Sequence, residues 1–388
     1  NSGGLAGLGV VCSSSKARGV TGSGAPVSDP FDIDYVAHEM GHQFNMNHTQ
    51  NNSCNRNGGT AVEPGSASSI MGYAGICAPN VQSNSDDYFH GISLQECDAL
   101  ITSGGHTCPV VTPLSNSEPT LTGLSTSITI PANTPFALTA AANDPDPSDV
   151  LTYCWEQMNN QTGFTMPPSS ASTGGPMFRS LDPSTSPTRY FPNLQDLIAG
   201  NVSDWEVLPS VSRSMDFRVT VRDNASGGGC NDHDDLVVNV DGNSGPFLVL
   251  NPNNSGITWD ASTVQNITWD VANTSSSPVS CGSVDILLSL DGGQTFSVIA
   301  SNVPNDGSES ITVPNTPSSN ALIMVQCANG TFFDVSDNTF VINGITNDFT
   351  ITSPNANQSV CAGGSTTFPI DVTAFGTFAD PVSLSVSG

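Results

Sequence analysis

The stretch His38-Glu39-Met40-Gly41-His42-Gln43-Phe44-Asn45-Met46-Asn47-His48 is the one the rest of the chain is organised around. On a helix, residues four apart share a face, so His38 and His42 present two imidazoles to a single metal ion with Glu39 beside them as a general base. His48 comes six residues later, out of register on a straight helix, and reaches the same ion only if the chain turns back. Asn45 stands at that break, and after Gly it is Asn that most readily takes the left-handed conformation such a turn needs. Three of the chain's 6 histidines fall in this one stretch; chance would place them so in about one chain in 10⁵. The helix is expected to start near Asp32, which can cap its first turn, with Val36, Met40 and Phe44 toward the core and Ile33 and Ala37 supporting the same face.

The pattern resembles the metzincin clan of zinc endopeptidases, whose extended signature is HExxHxxGxxH followed by a methionine-bearing turn. Asn45 departs from the usual Gly. Ser68-Ser69-Ile70-Met71-Gly72-Tyr73 matches the turn, and the resemblance implies that Met71 lies beneath the metal as an apolar floor. It further implies a zinc ion held by His38, His42 and His48, with Glu39 assisting the attack of water. Tyr73 stands where astacin- and serralysin-like metzincins carry a tyrosine that binds zinc or stabilises the oxyanion, and the alternative for it is a packed ring with an outward hydroxyl.

Upstream, Gly3-Gly4-Leu5-Ala6-Gly7-Leu8-Gly9-Val10-Val11-Cys12 and Lys16-Ala17-Arg18-Gly19-Val20-Thr21 read as two paired strands. A strand ending in Cys and a second leading into the active helix resemble the reprolysin (adamalysin) branch, where the first strand is the sheet edge that binds extended substrate. Gly4, Leu5, Ala6, Gly7 and Leu8 are therefore the candidates for substrate binding by backbone pairing, against the alternative that they are core. With 37 residues before His38, the resemblance implies an N-terminally truncated catalytic domain. Downstream, Tyr73 to Cys77 should wall a specificity pocket, and a last helix near Ser93–Ile101 suits a capping box of Ser93 and Glu96. His90 reads as structural, since the metal already has three ligands and keeps a fourth position open.

Composition bounds the rest. The chain has 388 residues with 27 Pro, 37 Gly and few charges, which favours several domains of short strands joined by turns. A net charge of −27, from 8 Lys+Arg against 35 Asp+Glu, argues against nucleic acid or an anionic membrane as partner. No apolar stretch is long enough to span a bilayer. The 10 cysteines include no CxxC pair, fitting a disulfide framework and a secreted, extracellular protein. Their order suggests Cys12 with Cys108, Cys54 with Cys77, Cys154 with Cys230 and Cys281 with Cys327; Cys97 with Cys108 is a rival that would free Cys12.

After Cys108 the composition turns Pro-, Thr- and Ser-rich with strand alternation. The expected architecture is an α+β metzincin catalytic domain over residues 1–108, then all-β immunoglobulin-like sandwich modules. One spans 109–242 with a cadherin-like pattern, a second spans 243–343, and 344–388 begins an incomplete third. In the first, Asp144, Asp146 and Asp149 cluster before a strand, where turn chemistry and a bound calcium account for them equally. In the second, Val284 to Leu290 and Gln294 to Ile299 flank Asp291-Gly292-Gly293 as a hairpin, with Trp259 and Trp269 filling the core.

Taken whole, the chain resembles large secreted bacterial reprolysin-like peptidases. That implies a zinc metalloendopeptidase acting on extracellular proteins or peptides, its C-terminal modules serving attachment to a cell surface or matrix. The competing class is a catalytically silent adhesion protein that binds through its sandwich modules. The intact Glu39 speaks for the enzyme, and zinc content together with casein cleavage separates the two.

Overall fold

In the computed structural model, residues 3–103, 108–345, 348–354, 357–375 and 378–385 are described. The order of elements is a short N-terminal hairpin and a broken helix, a long loop and a second helix, and then strands almost throughout. This is an α+β segment followed by β-sheet structure, as composition and alternation lead one to expect.

Strand β1 (Gly3–Leu5) pairs antiparallel with β2 (Val20–Gly22), Gly4 opposite Thr21. The chain then enters α1 (Asp29–Phe31), continues through a π-helical stretch (Asp32–Ala37), and passes into α2 (His38–Gln43). Helix therefore begins before Asp32, with Ser28 at the N-cap and Pro30 in the first turn, where its missing N–H costs nothing. Asp32 lies inside the helical run, where α1 passes into the π-helical stretch, and not at its N-terminus. The buried stripe also differs from expectation. Ile33 and Ala37 pack toward Met46, Ile70 and Met71, whereas Met40 is 54% exposed and Phe44 37%. Residues 33, 37 and 41 form one row of the helix, and 36, 40 and 44 lie about 100° round from it.

The helix after the long loop, α3 (Gly91–Thr102), has His90 as N-cap, its Nδ1 accepting the Ile92 N–H at 3.1 Å. Ser93 is thus inside the first turn rather than capping it. The Glu96 carboxylate, instead of closing a capping box, reaches Asn47, accepting its backbone N–H at 2.7 Å and its amide at 2.6 Å.

Farther on, strands Ser127–Pro131, Asn231–Asp241, Arg213–Arg222 and Thr152–Gln157 form one sheet in that order. Met215, Phe217, Val219 and Val221 alternate inward at 0% exposure and meet Phe136, Phe178 and Phe191. Side chains of this size contribute roughly 1.5–3 kcal/mol each when buried. A six-stranded and a three-stranded sheet follow, with Ser283–Ser289 paired antiparallel to Ser297–Pro304 and both Trp259 and Trp269 buried. One apolar cluster runs through both sets of sheets, and the Phe333 N–H donates to the Pro135 carbonyl, so the core is shared across residue 242. Strands Asp348–Thr352 and Asp371–Phe375 make a last pair.

Disulfides join Cys12 to Cys108, Cys54 to Cys77 and Cys281 to Cys327. The first closes a separation of 96 residues, worth roughly 4–5 kcal/mol in the chain-entropy account. Cys154 and Cys230 are not bridged. Cys154 is level with Thr220, and Thr220 with His233, so Cys230 lies two strands across and three residues along. Two strand spacings are already about 9.6 Å, beyond the reach of a disulfide.

Candidate metal centre

The turn that returns the chain toward the helix is built as the sequence requires. Asn45 has φ of +74°. The Asn45 N–H donates to the His42 carbonyl at 2.9 Å and the Met46 N–H to the Gly41 carbonyl at 3.0 Å, the two bonds that close a helix through a left-handed residue. The His42 carbonyl accepts a second bond, from Gly9, and the Gln43 carbonyl accepts from Val10, so the N-terminal segment seals the helix end. Gly41 presses on Met71, leaving no room for a Cβ between helix and methionine turn.

His38, His42 and His48 present nitrogens that all lie within 4.8 Å of one another. Each Nδ1 faces a backbone carbonyl at 2.8 Å: His38 that of Ile70, His42 that of Met46, His48 that of Asn55. A carbonyl only accepts, so each Nδ1 carries the proton and each Nε2 keeps a bare lone pair. The Nε2 atoms of His42 and His48 are 3.1 Å apart, two acceptors with no hydrogen to share. A cation between them removes that conflict, and three neutral imidazoles with an open fourth side are the donor set of catalytic zinc. Burial, then the neighbouring His42, pushes His38 down to about 3, and burial pushes His48 to about 4 and lowers His42. All three are neutral imidazoles at physiological pH.

Glu39 lies beside the triad with Oε2 buried and unpartnered, and burial raises its carboxyl above the usual range. A methyl group on Gly4 would overlap that carboxylate. Gly4, Leu5, Ala6 and Leu8 line a cavity of about 350 Å³ with the three histidines, Glu39, Tyr73 and the loop Asn55-Arg56-Asn57. Gly7 does not border it and turns toward Val10. The Tyr73 ring stands 4.6 Å from that of His48, its hydroxyl accepting from the Asn55 amide at 3.0 Å. On the other side of Glu39, Asp34, Tyr35, Tyr73 and Ile76 line a second cavity of about 270 Å³. Met71 is fully buried, its sulfur against Gly41 of the helix.

Two acidic residues have partners that the sequence reading did not give. Glu63, 1% exposed, accepts the N–H groups of Ser68 and Ser69 at 3.0 and 3.2 Å and so shapes the turn before Met71. Glu96 holds Asn47 beside His48. The spacing around Glu96 points to a cap rather than to Asn47, 49 residues away, and a loop carboxylate such as Glu63 has no periodic pattern to mark it.

Elsewhere, the carboxylates of Asp144 and Asp149 come together with that of Asp223, from the end of a strand far along the chain. Asp146 is not in the group: its carboxylate accepts the Ser117 N–H at 2.7 Å, and its own N–H donates to Asp144. Asp223 is occupied by the N–H groups of Ala225 and Cys230 and the Asn116 amide. Turn chemistry accounts for these bonds, and calcium has no support beyond the proximity of the carboxylates.

Residues 1–100 match the family profile described as Metallo-peptidase family M12B Reprolysin-like. No curated protein matches the chain. Among solved structures, Drosophila N-cadherin EC1-4 is similar at 12% identity and a TM-score of 0.21, covering 61% of this chain and 53% of its own, so the chain spans about half its length. The fibronectin(III)-like modules of Clostridium thermocellum CbhA give 11% and 0.20, covering 58% and 93%. The N-terminal four Ig domains of Dscam1 isoform 6.44 give 12% and 0.18, covering 60% and 47%. Scores at this level carry no argument about shared architecture.

Proposed function

We propose, on the premise that residues 1–100 are a reprolysin-like metallopeptidase segment, that the chain is a secreted zinc-dependent endopeptidase. The observation that carries this reading is the set of three Nε2 lone pairs freed by three carbonyl-bound Nδ1 protons, with Glu39 beside them. When bound, zinc supplies a Lewis acid that acidifies water and polarises the scissile carbonyl. Glu39 takes the proton of the attacking water on its carboxylate and passes it to the leaving amine nitrogen. Its raised pKa matches that double duty, since a carboxylate nearer neutrality both accepts and returns a proton.

An extended peptide lies along the free edge of β1, its backbone pairing with Gly4 and Leu5, its side chains passing Ala6 and Leu8, and its scissile bond carried between Glu39 and the histidines. Tyr73 stabilises the developing oxyanion from the rim. Three disulfides, with no helix long and apolar enough to cross a membrane among the described residues, support an extracellular setting. The modules 109–242 and 243–343 serve attachment to a surface or matrix.

Metal analysis and casein hydrolysis test the reading together. The full chain should bind about one zinc; His42→Ala should lose it, and Glu39→Gln should keep it while activity falls by roughly 10²–10⁴. Equal zinc in the parent and His42→Ala, or full activity in Glu39→Gln, would sink it.

A further inference from the structure

The methionine turn is held from outside its own segment. Where residues 49–91 lie against the first large sheet, Glu156, from strand Thr152–Gln157, is buried at 0% exposure. Its Oε2 accepts the N–H of Gly91, the first residue of α3, at 2.8 Å, and its Oε1 accepts the Ser180 hydroxyl at 2.7 Å. His90 Nε2 stands 3.6 Å from the same Oε1. Because His90 Nδ1 accepts from Ile92, its proton sits on Nε2 and points toward the carboxylate. Gly91 is closely seated, since a Cβ there would come within 3.1 Å of Glu156 and 3.0 Å of Thr220.

From Glu156 a continuous path of bonds runs to the metal centre. Ser180, whose hydroxyl Glu156 fixes, accepts the Ser68 hydroxyl on its backbone carbonyl at 2.9 Å. Ser68 and Ser69 hang by their N–H groups on Glu63, and the next residue, Ile70, turns its carbonyl to His38 Nδ1 at 2.8 Å. Ile70 in turn donates its N–H to the Tyr88 carbonyl, two residues before His90. The contact is built rather than incidental: in a chain with 8 Lys+Arg, Arg218 bonds Gln95 at 2.6 Å and Arg222 bonds the Phe89 carbonyl at 2.9 Å across the same boundary.

We propose that Glu156 is a positioning residue for the metal centre, acting through Ser180 and Gly91 to hold the Ser68–Met71 turn and with it His38. The first sandwich module is then a working part of the peptidase, and the turn that orients a ligand is braced by a residue of another module. This rests on the zinc-peptidase reading above. Outer partners of metal ligands typically change affinity by about 10–100-fold when removed.

The test uses the full chain with Glu156→Ala, Glu156→Gln and the milder Ser68→Ala, which cuts the same path from the peptidase side. Zinc affinity is read by chelator competition, and amide exchange is followed at Ser69 and Ile70, with Val240 and Ile323 as distant controls. Glu156→Ala should weaken zinc by about 10–100-fold and speed exchange at Ser69 and Ile70 while the controls hold; kcat should fall with KM little changed. Glu156→Gln should recover part of the loss, because its amide oxygen still accepts from Gly91. Unchanged affinity and exchange in a folded Glu156→Ala would overturn the proposal. If that variant does not fold, unchanged affinity and exchange in Ser68→Ala would overturn it equally. Should the parent bind no zinc, the peptidase reading falls, and exchange at Ser69 and Ile70 still decides whether Glu156 holds the turn.

Discussion

His38 Nδ1 lies 2.8 Å from the carbonyl oxygen of Ile70, so the first candidate ligand and the residue before Met71 fix each other. The bond sets the tautomer of His38 and the path of the turn at once. It joins two stretches 32 residues apart that sequence comparison treats as separate halves of one signature.

Asn45 is the residue on which the third ligand depends. With φ at +74°, Asn45→Gly should leave zinc affinity unchanged or slightly improved, because Gly reaches this conformation without a Cβ clash. Asn45→Val places a β-branched residue in the left-handed region, at a cost of about 1–3 kcal/mol, and should weaken zinc binding by misplacing His48. Chelator competition on both variants is the check, and equal affinity in Asn45→Val would reopen His48 as a ligand.

Gly4 leaves the space in which the Glu39 carboxylate sits. In Gly4→Ala the strand should still pair and zinc should stay bound, but the displaced carboxylate should lower kcat by about tenfold or more, on the usual scale of a misplaced catalytic group. A variant as active as the parent would show that Glu39 has another working position.

Tyr73 faces the cleft edge-on to His48, its hydroxyl reached by Asn55. Tyr73→Phe should keep the metal and the fold, and lower kcat by roughly 10²-fold if the hydroxyl stabilises the oxyanion. Steady-state kinetics with matched zinc content decides it: an unchanged kcat leaves the ring as packing alone.

The buried histidines make the metal-free chain acid-sensitive. His38 titrates at about 3 and His48 at about 4 in the folded state, against 6.5 in the unfolded chain. Between those limits the unfolded state takes up protons that the folded state refuses. The stability tied to these groups is therefore complete above about 6.5 and is lost as pH falls toward 3. The thermal midpoint of chelator-treated protein should fall over this window, and fall less in His38→Gln; parallel curves for the two proteins would refute the assignment.

The sequence by itself determined what depends on neighbours along the chain. Four-residue spacing puts His38 and His42 on one helical face, Asn45 supplies the left-handed turn, and alternation from Met215 to Val221 makes a half-buried strand, because these are properties of backbone geometry and of one residue's sterics. Tertiary structure decided what depends on residues meeting through space. Strand register keeps Cys154 and Cys230 apart. It brings Asp223, rather than Asp146, to Asp144 and Asp149. Glu96, which local spacing offers as a helix cap, spends its carboxylate on Asn47; Glu63 holds the N–H groups of the methionine turn from a loop, and Glu156, in the neighbouring sheet, takes the Gly91 N–H and the Ser180 hydroxyl. A buried carboxylate must find N–H or O–H donors wherever packing delivers them, and which donors arrive is set only when the sheets and helices have docked.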